Sequence, residues 1–126
     1  MAAVTVRGRT PRGHYSFATT HGGFVFTAGH LPVPPDGARA ADVPFDDQVR
    51  SVFRKLFETL EAAGARPEGV LQVTVYLVGV DRWTRFNELF AEIFGEHRPA
   101  RTVVPVPELH YGFLLEVEAV AAASAS

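Results

Sequence analysis

Two stretches of the chain carry apolar residues at helical spacing, each with a single apolar stripe, and this limits the fold more than any other feature. Phe45, Val49, Val52, Phe53, Leu56, Leu60 and Ala63 fall on one face of a helix. Asp42 is placed to cap its start, and Gly64 follows its end. Phe86, Leu89, Phe90, Ile93 and Phe94 repeat the pattern, and Gly95 stops it. A helix with one apolar stripe buries one side only, so the two helices suit covering one face of a sheet. The remaining segments supply that sheet. "HYSFATT" and "GFVFTAGHL", joined by a glycine turn, read as a hairpin. In "GVLQVTVYLVGV", Leu71, Val73, Val75 and Leu77 share one face, and Gln72, Thr74 and Tyr76 the other. Strands at 102–106 and 113–121 close the domain. "PVPPDGARAADVP" is a loop, because its prolines and Asp-Gly forbid a regular element.

The expected fold is therefore α+β, two layers, with a mixed β-sheet, two helices on one face and the order ββαβαββ. Residues 1–126 are read as a single domain with a core at about 13–121 and a frayed tail at 122–126. The uncovered sheet face still carries Phe, Val, Leu and Tyr, which predicts a homo-oligomer.

Several kinds of chemistry drop out. The chain has no cysteine, which removes disulfides, thiolate nucleophiles and cysteine metal sites. Net charge is −2 with no basic patch in the sequence, so nucleic acid is not favoured as a partner. No apolar run approaches the length of a membrane span, and the N-terminus lacks a secretory pattern, so a cytoplasmic protein is expected. The five histidines, at 14, 21, 30, 97 and 110, show no metal-ligand spacing. His21 and His97 read as structural. His14, His30 and His110 sit beside loops that could border a site. No phosphate loop, nucleophile elbow or Ser-His-Asp pattern is present.

The charges in "HRPARTVVPVPELHYGFLLEVEAVA" stand out against their apolar surroundings. Arg101 follows a stiff Pro-Ala step and precedes a β-branched run. It is either a surface arginine paired with a glutamate or a planar fork offered to a carboxylate or phosphate. Glu116 and Glu118 share one strand face. They are either a solvent-facing edge or pocket carboxylates, one of which could serve as a general base. Arg101 is the expected counter-charge.

"FVFTAGHLPV", "LEAAGA", "VTVYLVGVDRWTRFNELFAEIFG", "RPARTVV" and "LLEVEAVA" occur in this order over about residues 13 to 121, and in this the chain resembles the RidA/YjgF family of enamine/imine deaminases. The resemblance implies a chorismate-mutase-like fold, a homotrimer with active sites between subunits, and cofactor-free hydrolysis of small 2-imino or enamine acids to 2-keto acids and ammonia. It assigns Arg101 to the substrate carboxylate, Glu116 to the attacking water and Tyr15 to the cleft wall. It places Gly29 in a loop whose backbone borders the site, and Asn87 in a structural role. Val103 stands where cysteine is common, so only its backbone could serve.

Three departures concern histidine. Gly13-His14-Tyr15-Ser16 replaces Gly-Pro-Tyr-Ser, Ala28-Gly29-His30 replaces Ser/Ala-Gly-Gln, and Leu109-His110-Tyr111-Gly112 replaces Leu-Pro-x-Gly. They suggest a reshaped pocket, with His14, His30 and Tyr111 joining Gly29 and Val103 as substrate-binding candidates. Two alternatives to plain deamination stay open. One is a pathway enzyme that tautomerises, condenses or cyclises a carbonyl or imine, and the other is a non-catalytic ligand-binding trimer.

Overall fold

The computed structural model describes residues 1–32 and 39–124. Six strands form one sheet: β1 (Ala2–Val4), β2 (Ala18–His21), β3 (Phe24–Thr27), β4 (Ala65–Val78), β5 (Ala100–Val106) and β6 (Leu115–Ala123). Helix α1 (Phe45–Ala62) lies between β3 and β4, and α2 (Trp83–Phe94) between β4 and β5. The strand order across the sheet is β1-β2-β3-β6-β4-β5. Only β4 and β5 run parallel, joined by the α2 crossover, as parallel neighbours require. The α+β, two-layer expectation holds, with one strand added at the front: β1 pairs with β2 and makes the order βββαβαββ.

The core lies between the helices and one sheet face. Val49, Val52, Phe53, Leu56 and Leu60 of α1 meet Val73, Val75 and Leu77 of β4 and Leu115, Val117 and Ala119 of β6. Phe53, Phe57, Phe86, Phe90 and Phe94 knit the two helices together. The Phe53 and Phe94 rings meet edge to face at 5.7 Å, and Phe90 and Phe94 lie 4.5 Å apart. Each such pair contributes about 1 kcal/mol beyond the area it buries. Gln48 is buried but satisfied. Its Nε2 donates to the Val43 carbonyl at 2.9 Å, and its Oε1 accepts from the Leu114 N–H at 2.9 Å. One side chain thus ties the entry of α1 to the start of β6.

Local details depart from the sequence pattern for identifiable reasons. Asp42 does not cap α1. It sits in a 3-10 turn, Ala40–Asp42, and Pro44 occupies the cap position without a side-chain bond. Asp46 and Asp47 in the first turn instead complement the helix dipole. Leu71 is 46% exposed although Val73 and Val75 are fully buried. The pairing with β6 shifts between Val70 and Gln72, so Leu71 is the extra residue of a bulge and Val70 takes the core position. The tail is less frayed than expected. Ala122 and Ala123 belong to β6, and the Ser124 N–H donates to the Gly64 carbonyl at 2.8 Å. Residues 125–126, and the part of the expected loop at 33–38, lie outside the described residues.

Among the described residues, no helix lies over the other sheet face. That face presents Phe24 and Phe26, 44% and 45% exposed, together with Tyr76, Glu116 and Glu118. Strand β5 forms an edge of the sheet and carries Pro105.

Candidate functional site

A cleft of about 690 Å³ opens where the residue 8–17 segment, the end of β3, the start of β6 and the turn before β6 converge. This is an ordinary volume for a small-molecule site, which spans roughly 300–1,000 Å³. Of the expected site residues, Tyr15, Gly29, His30, Tyr111 and Glu116 line it, with His110 beside them.

Glu116 is placed by strand parity. Leu115 and Val117 turn inward to the core, so Glu116 turns to the opposite face, where it is half-buried. Burial raises its carboxyl above the ordinary range; His110 opposes that rise and Glu118 adds to it. Gly29 is packed against this carboxylate. A methyl group in place of its hydrogen would stand 2.7 Å from Glu116 Oε2 and 3.0 Å from Cδ. The loop cannot easily retreat, because His30 bridges Val117 through both backbone groups, at 2.7 Å and 3.0 Å. Glycine at 29 is thus what allows backbone and carboxylate to share this corner.

His30 faces the cleft in sequence but is only 5% exposed. Its Nδ1 lies 2.9 Å from the Ala28 carbonyl and its Nε2 2.8 Å from Thr59 Oγ1. A carbonyl can only accept, so Nδ1 carries the proton and Nε2 accepts from the Thr59 hydroxyl. Burial lowers its pKa to about 4; the Ala28 carbonyl opposes this, and Arg9 and Lys55 add to it. His30 is therefore a neutral wall residue, not a proton carrier at neutral pH. His14 is exposed and does not line the cleft of the single chain. Tyr111 adopts φ 63°, uncommon for a residue with a side chain, and is 59% exposed at the cleft mouth.

Arg101 and Val103 do not reach this cleft. Arg101 pairs in register with Val73, and Glu116 with Tyr76, so the two lie two strands and three registers apart. They also point to opposite faces. Arg101 Nη1 donates to Asn87 Oδ1 at 3.0 Å, and its guanidinium lies 4.8 Å over the Phe90 ring. Val103 packs against the core on that same helix-covered side. The expected pairing of Arg101 with a glutamate is corrected accordingly: Asn87 holds Arg101, and Glu118 accepts from the Tyr76 hydroxyl at 2.9 Å.

Sequence reasoning missed three cations in the cleft wall, Arg9, Arg12 and Lys55. Arg9 pins the residue 8–17 segment to α1 by donating to Thr59 Oγ1 at 2.6 Å and to the Lys55 carbonyl. Its guanidinium lies 5.0 Å over the Phe17 ring, and that of Arg12 lies 5.1 Å over Tyr111. The one lysine among twelve basic residues was a usable signal, but nothing local says that it faces a cleft. Among the described residues, no group of three or more His, Asp or Glu side chains could hold a metal ion. No helix among them is long and apolar enough to cross a membrane.

The family model described as "Endoribonuclease L-PSP" matches residues 7–123. The chain is 40% identical over 111 residues to the RutC family protein PH0854 of Pyrococcus horikoshii, covering 88% of each. The chain belongs to the RidA/YjgF family. A further relative is the Escherichia coli protein named "Putative reactive intermediate deaminase TdcF", 33% identical over 117 residues, covering 90% of this chain and 89% of TdcF. The crystal structure of TdcF with bound serine superposes with a TM-score of 0.87 at 29% identity, covering 98% of this chain and 99% of that one. That of yeast YEO7 superposes with a TM-score of 0.90 at 28% identity, covering 98% of both. The RidA/YjgF family thus includes proteins named as reactive intermediate deaminases.

Proposed function

We propose that this chain hydrolyses small 2-imino or enamine acids to 2-keto acids and ammonia, without a cofactor. The observation that carries this reading is the Glu116 carboxylate. It is half-buried in a cleft of substrate size, packed against the Gly29 backbone, and has a raised pKa. A base of that kind can take a proton from water near neutral pH. Water oxygen adds to the imine carbon and its proton passes to Glu116. Glu116 returns that proton to nitrogen, giving the carbinolamine; it then relays the hydroxyl proton to the amine, the C–N bond breaks, and the carbonyl and ammonia leave. The imine carbon is already electrophilic, so positioning supplies much of the acceleration.

The substrate carboxylate is assigned to Arg101 of a neighbouring copy in a homotrimer. Two features support this. Arg101 of the same chain points to the other side of the sheet, and the uncovered face exposes Phe24 and Phe26, which a second copy would bury. The test generates imines in situ with an amino-acid oxidase and follows their trapping by semicarbazide. Faster loss of trappable imine with the protein present is the expected result, and identical trapping with and without it removes the proposal.

A further inference from the structure

Among the described residues that line it, the cleft that holds Glu116 gathers more cations than carboxylates, although the chain as a whole carries a net charge of −2. Among the described residues, its walls bring together Arg9, Arg12 and Lys55 with the carboxylate of Glu116. Arg9 and Arg12 arrive on the segment before β2, and Lys55 on α1. Each is held. Arg9 is bonded to Thr59, Arg12 lies over Tyr111, and Lys55 Nζ stands 3.5 Å from the Leu31 carbonyl. Glu58 is close enough to offset part of this charge, acting on both Arg9 and Lys55. Lys55 is nonetheless pulled below its ordinary pKa, first by burial and then by Arg9 and Arg12. Like charges gathered in one concavity repel one another, and an anion bound among them relieves that repulsion.

A substrate with one carboxylate, given to Arg101, makes no use of this arrangement. We infer that the cleft selects 2-imino or 2-keto acids bearing a second anionic group, a side-chain carboxylate or a phosphate, which Arg12 and Lys55 hold with Arg9 behind them. The inference rests on the proposed function for the placing of the first carboxylate. The second anion binds at the cationic wall of the cleft, with the reacting carbon kept beside Glu116. Tyr15 and Tyr111 also line the cleft.

Calorimetric binding to the full chain tests it, with 2-oxoglutarate and phosphoenolpyruvate as dianionic probes and 2-oxobutanoate as the monoanionic one. The expected result is that at least one dianionic probe binds tenfold tighter or more than 2-oxobutanoate, a difference of about 1.4 kcal/mol. Which of the two does so identifies carboxylate or phosphate as the second group. Arg12→Gln and Lys55→Gln should each bring the ratio toward one, while Lys55→Arg should keep it. Equal affinity for all three probes overturns the inference, as does a preference unchanged in both glutamine variants. Imine turnover is measured separately. Turnover without a dianion preference defeats this inference alone, whereas a dianion preference without turnover on any imine defeats the proposed function alone.

Discussion

Gly29→Ala tests the geometry of the corner that Gly29 shares with Glu116, with the smallest possible change. The added methyl would stand 2.7 Å from Glu116 Oε2, where ordinary contact begins near 3.4 Å, so one side must retreat by roughly 0.7 Å. The backbone on the Gly29 side is held by the paired bonds between His30 and Val117. Glu116 is the freer partner, since its carboxylate swings on flexible torsions. The structure therefore predicts that the carboxylate moves and the loop stays. The cost in stability should be small, because φ at Gly29 is not in the left-handed region and alanine narrows the unfolded ensemble, a gain of about 0.5 kcal/mol. The cost in rate should be large. A misplacement approaching 1 Å at the reacting centre can reduce turnover about 100-fold. The assay is keto-acid release from an imine generated in situ, with melting temperature measured on the same sample. Turnover at the wild-type level with an unchanged melting temperature would show that the Gly29–Glu116 contact does not set the position of the base.

The remaining predictions concern neighbouring groups. Glu116→Gln should lower kcat steeply with little change in melting temperature, whereas Glu118→Gln should keep turnover and lose about 1 kcal/mol through a weakened bond to Tyr76. The reverse pattern in paired turnover and thermal-melt assays would reverse the two roles. Arg101→Lys keeps the charge but loses the fork that meets Asn87 and stacks over Phe90; KM for a carboxylated imine should rise about tenfold or more, read from initial rates. His30 takes up a proton near 6.5 when unfolded but only near 4 when folded, so the folded state binds fewer protons in that window. Its contribution is present above 6.5 and is lost as pH falls toward 4, by about 3 kcal/mol. The raised carboxyl of Glu116 works in the opposite direction, so the difference between wild type and His30→Gln in denaturant titrations across that range isolates the histidine.

The sequence pattern made both helices and five of the strands legible, since each buries one face and repeats the pattern that burial demands. It could not see β1, whose three residues are too short to alternate. Nor could it see the bulge at Leu71, because an inserted residue reverses parity without changing composition. The site was legible residue by residue but not as an arrangement. Glu116, Gly29 and Tyr15 do meet, yet nothing in the string says that Arg101 turns toward the helices while Glu116 turns away. That depends on which face the helices cover. Arg9 and Lys55 escaped notice for a similar reason, since they meet across 46 residues of chain. The string was equally silent on burial: His14 stands outside the single-chain cleft, and His30 is sealed into its wall.

Strand β5, at the sheet margin, bears on how the chain behaves while it is still alone. A sheet margin is a template on which another molecule can lay a strand and begin an endless stack. Pro105 interrupts that template, because its ring nitrogen has no hydrogen to donate and its ring crowds an incoming backbone. Growth along the hydrogen-bonding direction is blunted at that margin, and the apolar contact surface of Phe24 and Phe26 lies perpendicular to it. A newly folded copy is therefore steered away from fibre-like addition at β5.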